Sequence, residues 1–216
     1  MLIKSIPFKN VYMKIEAADL KKISVPALPT GFRYRFFQPG DEQYWAQIET
    51  AVGEFETEAD ALRYFTQAYL INVPALQQRL VFVVNGEDQP VATANAYFID
   101  TPQYGHQEAL QWVSVRPDYQ KRGLGKAVVS KALALFPALA PDSPVMLHTQ
   151  TWSYPAILLY HRLGFYIAKT EHLASNSYRN GGVQFVDHPS DFEAAKAVLA
   201  QVLTLEQLTA LYANAR

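Results

Sequence analysis

Apolar positions along the chain switch between two spacings, and the switches lay out its elements. Residues 32–38 read as a strand whose alternation breaks at Phe36-Phe37. After the turn Pro39-Gly40-Asp41, the residues Tyr44, Trp45, Ile48, Ala51 and Val52 fall three or four apart, marking a helix that Gly53 stops. Ala59, Leu62, Phe65 and Tyr69 trace a second helix. Residues 80–85 and 90–99 are strands joined by a hairpin turn at 85–89, and 101–106 form a loop. A strand over 108–115 follows, then Leu124, Val128, Ala132 and Leu135 return to helical spacing. The next strand, 145–150, is expected to lie parallel to 108–115, because the helix between them makes a right-handed crossover. Ser153 caps a further helix with Pro155 in its first turn and Gly164 as its stop; Ala156, Leu159, Tyr160 and Leu163 share one face. Residues 165–170 begin a last hairpin, with Gly181-Gly182 at its far end and 183–186 as the partner strand.

The two ends are less regular. Residues 11–15 suit a short strand, and Pro26 and Pro29 stiffen the approach to Thr30-Gly31. We read 1–30 as an N-terminal arm packed on a domain spanning 31–187. Beyond Pro189, Ser190–Glu193 and Thr204–Gln207 have the form of capping boxes, so two short helices are expected over 188–216. They would cover the sheet, mediate self-association as a homodimer, or shape a pocket.

Composition narrows the class. Half of the 216 residues are hydrophobic, enough for one ordinary domain with a sizeable core. A net charge of −1 argues against a broad nucleic-acid or anionic-membrane surface. The absence of cysteine excludes disulfides, thiolate metal sites and a cysteine nucleophile. The opening residues, broken by Pro7 and Lys9, lack a signal-type apolar core, and no apolar run approaches the roughly 20 residues of a membrane helix. A cytoplasmic protein without nucleic-acid or membrane partners is the expectation. The five histidines (His106, His148, His161, His172 and His188) show no metal-ligand spacing, so no metal is predicted.

The chemistry is concentrated where the 108–115 strand passes into the helix that follows. The turn Pro117-Asp118 leads to Gln120-Lys121-Arg122-Gly123-Leu124-Gly125-Lys126. Backbone N–H groups there point outward at the positive end of a helix, two glycines remove side chains that would hold an anion away, and Lys121, Arg122 and Lys126 add charge. By physics alone this is a phosphate cradle.

The same residues resemble the acetyl-coenzyme A signature of the GCN5-related N-acetyltransferase superfamily, Gln/Arg-x-x-Gly-x-Gly/Ala, here Gln120, Gly123 and Gly125. A second stretch, Ala156-Ile157-Leu158-Leu159-Tyr160-His161-Arg162-Leu163-Gly164-Phe165, is similar to that family's Ala-x-x-Leu-Tyr-x-x-x-Gly-Phe. The Pro39–Glu42 turn also resembles one found in a group of bacterial members. The resemblance implies an α/β (α+β) fold: a mixed, mostly antiparallel sheet of six to seven strands flanked by helices, with a splayed central parallel pair. It implies transfer of an acetyl group from acetyl-coenzyme A to a primary amine by direct attack, through a tetrahedral intermediate. Amides of Gln120, Lys121, Arg122, Gly123, Leu124, Gly125 and Lys126 would hold the pyrophosphate. A bulge near Val113, Ser114 and Val115 would turn a free N–H toward the thioester oxygen, with Trp112 packing. Tyr160 would be the general acid for the departing thiolate.

The resemblance does not identify the base that takes the amine's proton. Glu108, on the strand before the loop, and His148, on the parallel strand, are candidates; Glu54 and Glu56 are looser ones. Many relatives carry an asparagine where Ser153 stands, so Ser153 either contacts the cofactor or serves as a cap. Carboxylates at Glu49, Glu54, Glu56 and Glu58 either favour a cationic acceptor or form a solvated loop. The acceptor is read as a small molecule or amino-acid-like amine, with a peptide N-terminus, or a silent acetyl-coenzyme A sensor, as alternatives.

Overall fold

The computed structural model describes residues 2–170, 175–179, 182–186 and 189–216. Seven strands, β1 (Asn10–Ile15), β2 (Arg33–Phe36), β3 (Leu80–Val84), β4 (Pro90–Thr101), β5 (Gly105–Val115), β6 (Val145–Gln150) and β7 (Tyr166–Ala168), join in one open sheet of order β2-β3-β4-β5-β6-β1-β7. Every neighbouring pair is antiparallel except β5 and β6, which run parallel as their crossover helix requires. The mixed sheet with its central parallel pair is the architecture expected from the sequence.

Helices cover both faces. α1 (Ala17–Leu20) is a single turn. α2 (Glu42–Val52), α3 (Glu58–Ala68) and α4 (Val73–Arg79) lie on one side, where Trp45, Phe65 and Tyr69 pack with Leu80, Phe82 and Tyr97. α2 stops at Gly53, whose φ of 90° is open to glycine and costly for other residues. α5 (Leu124–Leu133), the short α6 (Phe136–Leu139) and α7 (Tyr154–Arg162) occupy the other side, with Val128, Phe136 and Ile157 against Val83, Leu110 and Leu147. A separate hairpin pairs β8 (Ser175–Arg179) with β9 (Gly182–Val186). Residues 183–186 thus pair with 175–178, whereas β7 pairs with β1; Gly181 of the expected turn lies outside the described residues.

The ends of the chain belong to this sheet. β1 is a strand between β6 and β7, so residues 1–30 supply an interior strand as well as an arm. Val11, Met13 and Ile15 enter the α5–α7 core while Tyr12 enters a small cluster on the opposite face with Ala109 and Met146. Burial on both faces suits a nearly continuous apolar strand. α8 (Phe192–Leu199) and α9 (Leu205–Ala213) add Ala195, Leu199 and Leu211 to the α5–α7 core. α9 opens on the expected capping box, with Thr204 and Gln207 each bonding the other's backbone N–H. At α8 the cap position is Asp191 instead, and Ser190 Oγ is buried with no partner among the described residues. The Asp191 carboxylate reaches across to β1, accepting from Asn10 N at 2.8 Å and Asn10 Nδ2 at 3.3 Å. Replacing Asp191 with alanine should lower stability by about 1–3 kcal/mol through loss of bonds to a charged acceptor. In urea unfolding this reads as a lower midpoint at unchanged slope, and Asp191→Asn should recover part of it.

Candidate functional site

A mismatch between β4 and β5 opens the site. Thr93 pairs with Ser114 but Asn95 with Gln111, so one extra residue is accommodated in β5 at Trp112–Val113. Trp112 takes φ 49°, a left-handed conformation that costs a bulky residue of order 1–3 kcal/mol. Its ring is gripped for that: Trp45 and Tyr64 meet it edge-on at 5.1 and 5.0 Å, Phe55 stacks at 5.6 Å, and its Nε1 donates to Tyr69 Oη at 2.6 Å. The bulge bends β5 away from β6. Their pairing covers only Glu108↔Val145 and Ala109↔Met146, and past it the two strands diverge into a wedge.

Hydrogen-bond alternation decides which groups line the wedge. Arg116 N donates to Val91 O, so Ser114, two residues earlier, also faces β4, and the N–H groups of Val113 and Val115 turn toward the gap. At the end of β5 the side chain of Gln120 donates to Val115 O at 2.9 Å, folding the loop back on its own strand. Gly123, at φ 82°, then starts α5 with no side-chain cap, and the first intrahelical bond is donated by Ala127. The amides of Leu124, Gly125 and Lys126 find no acceptor among the described residues. Space is available before them: a Cβ on Gly123 would meet nothing within 4 Å, and one on Gly125 only Val115 at 3.6 Å. Lys121, Arg122 and Lys126 stand exposed around this opening.

Two further elements converge on the wedge from opposite faces of the sheet. Tyr160, on α7, is buried against Phe165, and its hydroxyl has no partner among the described residues. Burial pushes the phenol well above its ordinary range, and the charges of Glu54 and Glu49 push it further. Those carboxyls belong to α2 and the loop after it, so the phenol senses them through the gap. Glu49 is fully buried; its Oε2 accepts from Ser114 Oγ at 2.8 Å, while Oε1 has no partner among the described residues. Desolvation first, and Glu54 second, raise its pKa well above the carboxylate range, against the pull of Ser114. Glu54 sits at the mouth, raised by partial desolvation and restrained by Gln150 Nε2 at 3.5 Å and by Lys4. Glu56 and Glu58 are exposed.

The two sequence candidates for a base lie elsewhere. Glu108 is held by Arg79 Nη1 at 2.8 Å and His106 Nε2 at 3.1 Å, and it is in register with Val145 where the strands are still paired. It lies four residues, roughly 13 Å, before the bulge. His148 shares with Gln150 the sheet face toward α2, but its ring Nε2 donates to Asn10 Oδ1 at 2.9 Å and the ring lies against Tyr12 at 4.9 Å. Ser153 occupies the cap position of α7 yet makes no capping bond. Glu49 went unrecognised as a buried residue. The signal was its position on the apolar stripe of α2, one residue after Ile48 and three before Val52, where a charge is out of place. Among the described residues no group of His, Asp and Glu side chains is arranged to hold a metal ion, and no helix is long and apolar enough to cross a membrane. His172 and His188 lie outside the described residues.

Comparison with known proteins adds the lineage. No curated protein matches the chain. Among solved structures it is similar in fold to a GCN5-related N-acetyltransferase from Sphaerobacter thermophilus, with 21% identity over 74% of this chain and 49% of that one, and a TM-score of 0.57. It is also similar to a tandem GNAT protein from the clavulanic acid biosynthesis pathway, at 15% identity over 76% and 51% with a TM-score of 0.54. A GNAT-family acetyltransferase from Colwellia psychrerythraea shares 11% identity over 77% and 55%, again at 0.54. The chain thus spans about half the length of each of these proteins. The model of the Acetyltransferase (GNAT) family matches residues 41–165, the stretch that carries α2, the bulged strand, the glycine loop and Tyr160. With that match running through more than half of its length, the chain belongs to the Acetyltransferase (GNAT) family.

Proposed function

We propose that the protein transfers an acetyl group from acetyl-coenzyme A to the primary amine of a small-molecule or amino-acid-like acceptor. One observation carries this reading: a wedge lined by the N–H groups of Val113 and Val115, with the open amide end of α5 at one side and an unpaired phenol at the other. An extended pantetheine arm suits a gap between two diverging strands, because strand N–H groups there lack backbone partners. A diphosphate suits the cradle, where Leu124, Gly125 and Lys126 present donors, glycine leaves room, and lysine and arginine side chains add charge.

Held in this way, the thioester carbonyl lies near the bulge, and a wedge-facing N–H of Val113 or Val115 stabilises oxygen charge as the amine attacks. Tyr160 remains protonated through the physiological range because its pKa is raised, so it is available as a donor to the departing thiolate. Ser153, free of capping duty, lies at the start of the same helix and is a candidate contact for the donor. Calorimetry with acetyl-coenzyme A and thiol release on a panel of amines test the reading together; absence of binding overturns it.

Gly125→Val is the cleaner probe of the cradle, since Gly123 needs its positive φ and any replacement there strains the backbone. The Gly125 variant should keep its melting temperature and raise the apparent KM for acetyl-coenzyme A about tenfold or more. A melting temperature that falls while KM stays put would assign Gly125 to packing. Tyr160→Phe removes a hydroxyl that bonds nothing among the described residues, so stability should hold within about 0.5 kcal/mol. Turnover should fall on the order of 10²-fold with acetyl-coenzyme A affinity unchanged, as steady-state kinetics beside calorimetry would show. Full turnover would remove the phenol from the mechanism.

A further inference from the structure

We infer that Glu49 receives the acceptor's ammonium group and takes up its proton. The inference rests on the function proposed above and adds the group the sequence left unassigned. Its first support is an orphan. Glu49 is wholly buried, yet only one of its carboxyl oxygens is bonded: Ser114 Oγ holds Oε2 at 2.8 Å, and Oε1 has no partner among the described residues. A buried carboxyl oxygen without a donor is a rare and unfavourable arrangement, which a bound N–H relieves. The second support is place. Ser114 directly follows Val113 in the bulged strand, so the bond to Ser114 pins the carboxyl beside the stretch of β5 that lines the wedge. Glu54, just past α2, accepts from Gln150 Nε2 at the end of β6 at 3.5 Å, and the Tyr160 phenol on α7 is raised by the charges of both carboxyls.

The proton arithmetic closes. An arriving R–NH3+ favours the ionised form of Glu49, so a carboxyl that burial keeps neutral releases its proton to solvent as the cation binds. The carboxylate then takes one proton from the ammonium. The neutral amine forms the N–C bond to the thioester carbonyl, the C–S bond breaks, and the sulfur leaves with the bonding electron pair. Tyr160 gives the thiolate its proton and is restored by the second proton of the amine nitrogen. The products are an amide, a free thiol and one proton left on Glu49. A carboxyl of raised basicity serves this step better than an ordinary one, because proton transfer from an alkylammonium to a normal carboxylate runs far uphill.

The test uses the full chain saturated with coenzyme A and labelled at glutamate Cδ. The Glu49 carbon signal, assigned by its loss in Glu49→Gln, is followed as ethyl-, propyl-, butyl- or hexylammonium is added, with the matching alcohols as neutral isosteres. We expect at least one ammonium to shift the Glu49 signal saturably to its ionised position and no alcohol to do so. Glu49→Gln should bind that ammonium about tenfold or more weakly while holding coenzyme A as before. Ser114→Ala keeps the carboxyl but frees it, and should weaken ammonium binding to a lesser degree; it serves should the glutamine variant not fold. A Glu49 signal indifferent to every ammonium, or equal ammonium affinity in both variants and the parent, overturns the inference. Failure of the parent protein to bind coenzyme A would instead overturn the function on which it rests.

Discussion

A single surplus residue in β5 is the constraint on which the site depends. The bulge at Trp112–Val113 shortens the β5–β6 pairing to two residues and leaves the strand ends apart. Without it, the parallel pair would continue to close, and the N–H groups of Val113 and Val115 would bond β6. The conformation is unfavourable for tryptophan in isolation. Burial of its ring among Trp45, Phe55, Tyr64 and Tyr69, and the bond from its Nε1 to Tyr69, offset that cost. The aromatic cluster under α2 and α3 is therefore support for the wedge as much as a core.

The wedge also explains why groups on opposite faces of a sheet influence one another. A closed sheet separates its two faces by a layer of paired backbone. Here burial raises the phenol of α7 and the charges of Glu54 and Glu49, on the other side of the sheet, raise it further. Low polarity strengthens every such interaction, so the same burial that makes Glu49 reluctant to ionise makes it responsive to an arriving cation. The glycine loop lies at the far end of β5, held there by Gln120 on Val115 O. The open amides of α5 and the buried carboxyl of Glu49 are thus both tied to one strand, the first through Gln120 and the second through Ser114.

Much of this was legible beforehand because the signals were local. Gly53 and Gly164 stop helices at positive φ, the Thr204–Gln207 box opens α9, and the strand–glycine loop–helix order expected around 112–133 is the order observed. What escaped depends on pairings between distant residues. Val11, Tyr12, Met13 and Ile15 of β1 are buried on both faces of the sheet and so carry no clean alternation, and the strand's partners lie far along the chain at Gln150 and Tyr166. Glu108 and His148 stood on the right strands, but strand assignment says nothing of the side chains across from them, and Arg79, His106 and Asn10 claim both. Ser190 looked like a cap, yet Asp191 holds the position, makes no capping bond and turns its carboxylate to β1. Glu49 was visible as an acid in an apolar stripe, though its partner Ser114 lies 65 residues away.

The interior position of β1 has a consequence for how the molecule comes into being. On a ribosome this strand emerges ahead of the other strands of its sheet and must wait for β6 and β7, well over a hundred residues later, before it can pair on either side. Closing so large a loop is slow, and contact order rather than stability sets the pace. Until then the nascent chain carries an apolar ribbon with both edges bare, the kind of segment that invites mispairing and chaperone capture. The β6 side of the wedge is therefore backed by a strand that finds both of its partners only late in synthesis.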